Sequence, residues 1–378
     1  MNVLVNALSL GSLSGRHVLY GHLRQLAKWT ESTHHFHVLL NYHENPAPEG
    51  FSSNVSCIHA PALADGGCAR AFWEYTAVNK LLSQRNADLY FTPSGTTLLR
   101  CSVPQVVLAQ NPWSLTPNVP QGILENAKAC LQRAAYRAAV LHARLLYFNS
   151  HYIENLYKQN ANRKSLKNGR IAYQGINDDT FAAASMMSRA WEERQNSVLA
   201  VSTMAPWKNV ETVVRAVAKL VKQNIDVHLR LVGAWPNKKY RFFIEREIAR
   251  LQLENVTTIV GEVSRDQLHH EYAVARVFCL MSRCESFGIP AVEAQAFGTP
   301  VVGSDCCAMP EIGGSGGCFG PSLDADNTAA LLLPFFGDYQ HWNRYSLLAR
   351  KNADRFRWNQ CSLPLLEMFD STHHDKIV

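Results

Sequence analysis

Nothing in this 378-residue chain approaches the ~18 consecutive apolar residues that a helical membrane span requires, so any membrane contact is expected to be peripheral. The opening residues, Met1-Asn2-Val3-Leu4-Val5-Asn6, lack a basic n-region and a long apolar core, and read as a first strand rather than a signal peptide. Charge is sparse, at 18% of residues with a net +6, and no long Lys/Arg run occurs. That balance suits anionic small molecules or an anionic membrane surface and excludes an RNA or DNA module. The ten cysteines are scattered without a Cys-x-x-Cys spacing, and Cys306-Cys307 is the only close pair. His34-His35, His269-His270 and His373-His374 do not stand in zinc-ligand spacing to them. Reduced thiols in a cytoplasmic protein are expected, and neither metal nor resident cofactor.

The length suits two domains, each able to bury its own core. Strand-like and helix-like runs alternate from the start: residues 3–8 then 17–29, residues 37–41 before a Pro- and Gly-rich loop, residues 89–92 and 105–109, a long helical run over 123–143, and 145–149. Such alternation predicts an α/β fold with a doubly wound, mostly parallel sheet. Gly11 and Gly15 bracket a turn before a helix, a pattern that lets backbone approach a phosphate and equally serves a plain tight turn. Gln110-Asn111-Pro112 follows a strand end, where Asn111 offers either a ligand contact or an Asn-Pro turn. Residues 177–196 are rich in Ala, Met, Ser and charge, and read as a connecting segment.

After it the pattern restarts. A strand over 197–202 leads into a loop holding Lys208-Asn209 and an amphipathic helix over 210–221, and further strands end at Gly233 and before Gly261-Glu262-Val263. The centre of the second half is Glu285-Ser286-Phe287-Gly288-Ile289-Pro290-Ala291-Val292-Glu293. It joins an apolar strand over 277–281 to a helix that stops at Gly298-Thr299-Pro300. Amides of Ser286, Phe287 and Gly288 at a helix start favour an anion such as a phosphate. Glu285 lies just before that position and Glu293 about one turn into the helix. One carboxylate can then meet a sugar beside a phosphate and the other a ribose; the plain alternative is two helix-start carboxylates favoured by the dipole.

This segment, continued through Gly298-Thr299-Pro300-Val301-Val302-Gly303-Ser304 and Pro310-Glu311-Ile312-Gly313-Gly314, resembles the E-x7-E signature of the retaining GT-B glycosyltransferases of family 4. The resemblance is strong over the second half and holds only in outline over the first. It implies two Rossmann-like domains facing each other across a cleft: 1–174 on the acceptor side, 175–357 binding the nucleotide sugar, and a helix from 358–378 packing back on the first. It further implies Lys208 and Glu285 as catalytic groups, with a polar contact at Asn111. Donor contacts would come from Gly11, Gly15, Thr203, Lys208, Gly233, Val263, Glu285, Ser286, Phe287, Gly288, Ile289 and Glu293.

The arginine that the family places five or six residues before the lysine is absent, those positions being Ser202 and Thr203. Either Thr203 and glycine-loop amides share its load, or a basic residue elsewhere replaces it, with Lys238, Lys239 and Arg241 as candidates. The implied reaction moves a hexose from a nucleotide diphosphate sugar, as co-substrate, to a saccharide or lipid-linked acceptor in surface polysaccharide or glycoconjugate synthesis. No metal is implied, and Asp178-Asp179 reads as turn residues. Two other readings stay open: a nucleotide-sugar-binding protein without transfer activity, and a glycoside hydrolase using Glu285 and Glu293. A cytoplasmic location, peripheral on the inner face of a membrane where it touches one, follows the same resemblance; oligomeric state has no sequence signal.

Overall fold

The computed structural model of the chain describes residues 1–10, 13–41, 50–62, 67–116 and 123–370. It forms two compact units, Met1–Gly175 with Trp358–Val378, and Ile176–Arg357. Gly11, residues 63–66 of the loop 61–68 and the tail from 371 lie outside the described residues.

In the first unit the strands are β1 (Asn2–Asn6), β2 (His35–Leu40), β3 (Val55–His59), β4 (Leu89–Thr92), β5 (Gln105–Ala109), β6 (Leu145–Phe148) and β7 (Gly169–Ile171). They pair in the order β3-β2-β1-β4-β5-β6-β7, all parallel. The inner strands are near-continuous apolar runs because helices cover both faces of the sheet. Val3, Val5, Val106 and Leu108 face one apolar cluster, Val107, Ala109, Leu146 and Phe148 the other.

The second unit repeats the plan with β8 (Gln195–Val201), β9 (His228–Val232), β10 (Thr257–Gly261), β11 (Ala275–Leu280), β12 (Val301–Ser304) and β13 (Gly317–Gly320). Their order, β10-β9-β8-β11-β12-β13, is the 3-2-1-4-5-6 arrangement of a doubly wound Rossmann-like sheet. Between β8 and β11 the strand order reverses, the switch point outside whose strand ends open α/β sheets bind ligands. The helix Val210–Lys222 seals one face with Val210, Val213, Val214, Val217 and Leu220.

Three expectations need correction. The stretch read as a loop after β2 contains β3 and a helix, Gly67–Gln84. Strand β3 lies at the sheet edge and is only half buried, so its alternation is weak. The segment 177–196 is not a bare connector: it forms a helix, Asp178–Met186, with Thr180, Ala183 and Ala184 buried, and a short 3₁₀ turn, Trp191–Glu193. Small alanines pack closely but give little hydrophobic contrast to read. Finally, the expected C-terminal helix is three short pieces, Trp358–Cys361, Leu363–Leu366 and Glu367–Asp370, with Pro364 in the middle one.

Those pieces belong to the first unit's core, where Leu365, Met368 and Phe369 join the cluster containing β1 and β2 residues. Trp358 anchors them. Its indole lies where a Cβ on Gly21 would fall 2.1 Å away, and one on Gly175 2.6 Å away.

Candidate functional site

Two loops meet at the carboxyl ends of β8 and β11. The β8 loop turns through a 3₁₀ segment, Pro206–Lys208, and then Asn209, whose φ of +55° is left-handed, before the helix Val210–Lys222 starts. Asn tolerates that conformation better than most residues, and here it also has structural work. Its buried Nδ2 donates to the Met281 carbonyl at 2.9 Å and to the Ser322 carbonyl, while its Oδ1 accepts from Thr212 Oγ1 at 3.0 Å. A backbone bond from Arg283 N to the Trp207 carbonyl, 2.8 Å, completes the seam.

Across that seam the Lys208 ammonium pairs with Glu285 Oε1, which also accepts from Ser282 Oγ at 3.1 Å. Both side chains keep a little solvent contact, 17% for Lys208 and 11% for Glu285. Beside them Arg283 Nη2 pairs with Glu211 Oε1 at 2.7 Å and reaches Asn209 Oδ1 at 3.3 Å. Burial and the Glu211 carboxylate together push the Tyr240 hydroxyl far above its ordinary range, so it stays a donor to Glu211. The crevice thus holds two cations, each neutralised by a carboxylate that an incoming anion could displace.

Beyond Glu285 the chain passes Gly288, with φ +97°, into the helix Ile289–Ala296, which has no side-chain cap and carries proline in its first turn. A Cβ at Gly288 would press to 2.9 Å from Met309 Sδ. Phe287 is buried with its ring edge-on to Phe356 at 5.2 Å, so its side chain is structural. Ser286 and Ile289 are half-buried on the same turn.

Glu293 is buried at 4% exposure. Its Oε1 accepts from Arg265 Nη1 at 2.8 Å and its Oε2 from the Tyr272 hydroxyl at 2.9 Å. Arg265 also donates to Thr180 Oγ1. Glu293 therefore ties the helix Ile289–Ala296 to the helices Arg265–Val274 and Asp178–Met186, and a ribose would have to use its remaining lone pairs.

The other expected contacts are dispersed. Thr203 is exposed, and Gly233 and Val263 follow the ends of β9 and β10. Gly233 has φ +133°, and a Cβ there would lie 1.9 Å from the Ser202 carbonyl oxygen, so close backbone approach alone demands glycine. In the first unit Gly15 is buried in the helix Leu13–Trp29, and Asn111 is exposed with Oδ1 accepting from Trp113 N at 3.0 Å, an Asx turn. Lys238, Lys239 and Arg241 open the helix Lys238–Arg250 on its exposed side, with Arg241 paired to Glu245 at 2.8 Å. Arg283 was not anticipated, although its place two residues before Glu285 in the same turn was a usable signal. Asp324-Ala325-Asp326 has Asp-x-Asp spacing, yet Asp324 caps the helix Ala325–Leu332 and Asp326 pairs with Lys219 at 2.6 Å. Among the described residues no three His, Cys, Asp or Glu side chains gather as a metal site.

Two doubly wound units in one chain are the composition of the GT-B class. Solved structures share the fold at low identity: sucrose-phosphate synthase from Thermosynechococcus elongatus (TM-score 0.77, 18% identity, 99% of this chain and 100% of that one). HepE from Anabaena, in complex with UDP and glucose, is similar (TM-score 0.73, 18% identity, 98% and 100%). A model of the family described as glycosyl transferases group 1 matches residues 183–351. Curated relatives include the O-antigen chain mannosyltransferase B of Escherichia coli, 28% identical over 48% of this chain and 46% of the relative. Another is the MMP alpha-(1->4)-mannosyltransferase of Mycolicibacterium hassiacum, 30% identical over 47% and 43%. The chain thus spans about half the length of the curated relatives it matches.

Proposed function

We propose that the chain is a retaining hexosyltransferase that takes its sugar from a nucleotide diphosphate donor and passes it to a saccharide or lipid-linked acceptor. The observation that carries this reading is the Lys208–Glu285 pair at the β8/β11 switch point, the place where open α/β sheets bind ligands. The donor's diphosphate would take Lys208 as its counter-ion. Charge that builds as the sugar–oxygen bond breaks would fall on the ammonium and on the backbone amides of the turn that starts the helix Ile289–Ala296. Arg283, swinging off Glu211, would supply the second cation that Ser202 and Thr203 do not.

Released from Lys208, Glu285 would accept hydrogen bonds from hexose hydroxyls, with Ser282 holding its carboxylate in place. Retention without a protein nucleophile follows from front-face attack, in which the departing phosphate takes the acceptor's proton. No divalent cation is required, since Lys208 and the amides neutralise the leaving group. A hydrolase using Glu285 and Glu293 is disfavoured because Glu293 is buried under Arg265 and Tyr272.

The test is transfer from UDP-, GDP- and dTDP-hexoses to a lipid-linked saccharide in chelator, with the product anomer read by NMR. Transfer with the donor's configuration is expected. An inverted anomer overturns retention, and nucleotide binding without transfer to any acceptor favours a binding protein.

A further inference from the structure

Beside the crevice, the loop leaving β12 carries two adjacent thiols. Cys306 Sγ and Cys307 Sγ lie 3.9 Å apart, and both point at the Ser282 carbonyl, at 3.4 and 3.8 Å. Cys307 sits at a left-handed φ of +53°, rare for a side-chain-bearing residue. Ser304 Oγ donates to the same carbonyl at 2.8 Å, and Ala308 N donates to the Glu285 carbonyl at 3.3 Å. Ser282 in turn donates its hydroxyl to the Glu285 carboxylate. The thiols are therefore one residue removed from the Lys208–Glu285 pair, through both backbone and side chain.

The two sulfurs are chemically unlike. The Cys307 thiol beside it lowers Cys306 to about 6, against the rise that burial brings, and so favours the Cys306 thiolate over that of Cys307. Cys307 is pushed up by its bond to Cys306, by burial and by the Glu285 charge, and stays protonated. Cys306 is half-buried and within reach of a small oxidant, whereas Cys279 is fully enclosed.

We infer that Cys306 and Cys307 form a reversible oxidative modification site whose state is coupled to the Glu285 turn. Peroxide is the oxidant. The Cys306 thiolate attacks one peroxide oxygen, the O–O bond breaks, and hydroxide leaves, giving a sulfenic acid. Cys307 sulfur then attacks Cys306 sulfur; the S–O bond breaks, and the departing hydroxide leaves as water with the Cys307 proton. Two thiols lose two electrons and peroxide gains them.

Neighbouring Cα atoms are about 3.8 Å apart across a trans peptide, below the roughly 4.4–6.8 Å that disulfides prefer. The bridge is consequently strained and easily reduced, a labile state rather than a structural one. Closing it draws the sulfurs from 3.9 Å to about 2 Å, which must shift the 306–308 backbone and loosen its bond to Glu285.

The test treats the full chain with hydrogen peroxide, blocks free thiols with a maleimide and maps the peptides by mass. The expected 306–307 peptide has lost two hydrogens, resists maleimide and regains reactivity with dithiothreitol; Cys307→Ser stops at a sulfenic acid trapped by dimedone. A 306–307 peptide that still takes two maleimides after peroxide overturns the site. Coupling is read separately, and rests on the donor reading above: whichever of UDP, GDP and dTDP binds should raise the melting temperature of the reduced protein and much less that of the oxidised one. Equal shifts overturn the coupling. No shift in the reduced form sinks the donor reading while leaving the thiol chemistry intact.

Discussion

At the scale of single residues, several positions that match a glycosyltransferase motif are explained by backbone geometry before any ligand is considered. Gly233 is one: its φ of +133° and the Ser202 carbonyl 1.9 Å from a would-be Cβ leave no room for a side chain. Gly233→Ala should cost about 1–3 kcal/mol by the strain of that conformation, with further loss from the overlap. Thermal melting checks it, and an unchanged midpoint contradicts the geometry. Thr299 is another, donating to the Tyr272 carbonyl at 2.6 Å and accepting from the buried Arg194 at 2.7 Å. Lys208 and Glu285 differ in kind. They are held by loops rather than by the core, keep solvent contact, and bond chiefly to each other, which is how groups poised for a ligand differ from groups committed to the fold.

At the scale of elements, the C-terminal pieces are fastened to the first unit by a buried histidine. His22 hydrogen-bonds Ser362 through Nδ1 at 2.9 Å and meets the Trp358 ring edge-on at 5.0 Å. Burial, with a smaller contribution from His17, lowers its pKa from 6.5 to about 3. In the unfolded chain it takes a proton near 6.5, so below that pH the unfolded state binds more protons and stability falls, by about 1.4 kcal/mol per pH unit until the folded histidine titrates. Above the unfolded value it contributes no pH dependence. His37, lowered to about 4 by burial and by His35, adds in the same direction. Melting temperature measured between about pH 7.5 and 4.5 should fall less steeply for His22→Gln than for the wild type; parallel curves contradict this account of the clamp.

At the scale of the whole molecule, the sequence was most legible where physics leaves few choices. Buried parallel strands such as β5 and β11 carry the apolar runs 106–109 and 277–280, and the corner from Glu285 to Glu293 carries its glycine and proline where a strand-to-helix turn needs them. Less was readable where burial is partial. Strand β3 mixes Ser, Cys and His at an edge, and the helix Gly67–Gln84 leaves Phe72 and Tyr75 exposed, so neither has clean periodicity. Partners brought together from distant positions were invisible: Arg265 on Glu293 and Arg283 on Glu211 are set by topology, not by local spacing. Asn209 shows the same limit, since its role as the peg between three loops appears only once β8 lies beside β11.

The central claim is that a nucleotide diphosphate is held against Lys208 at the β8/β11 crevice. Calorimetric titration of UDP and GDP into the wild type and Lys208→Ala, with folding checked by melting, tests it most directly. The account predicts that whichever nucleotide binds the wild type loses at least about tenfold in affinity, roughly 1.4 kcal/mol, in the variant. Identical dissociation constants for the two proteins would contradict it.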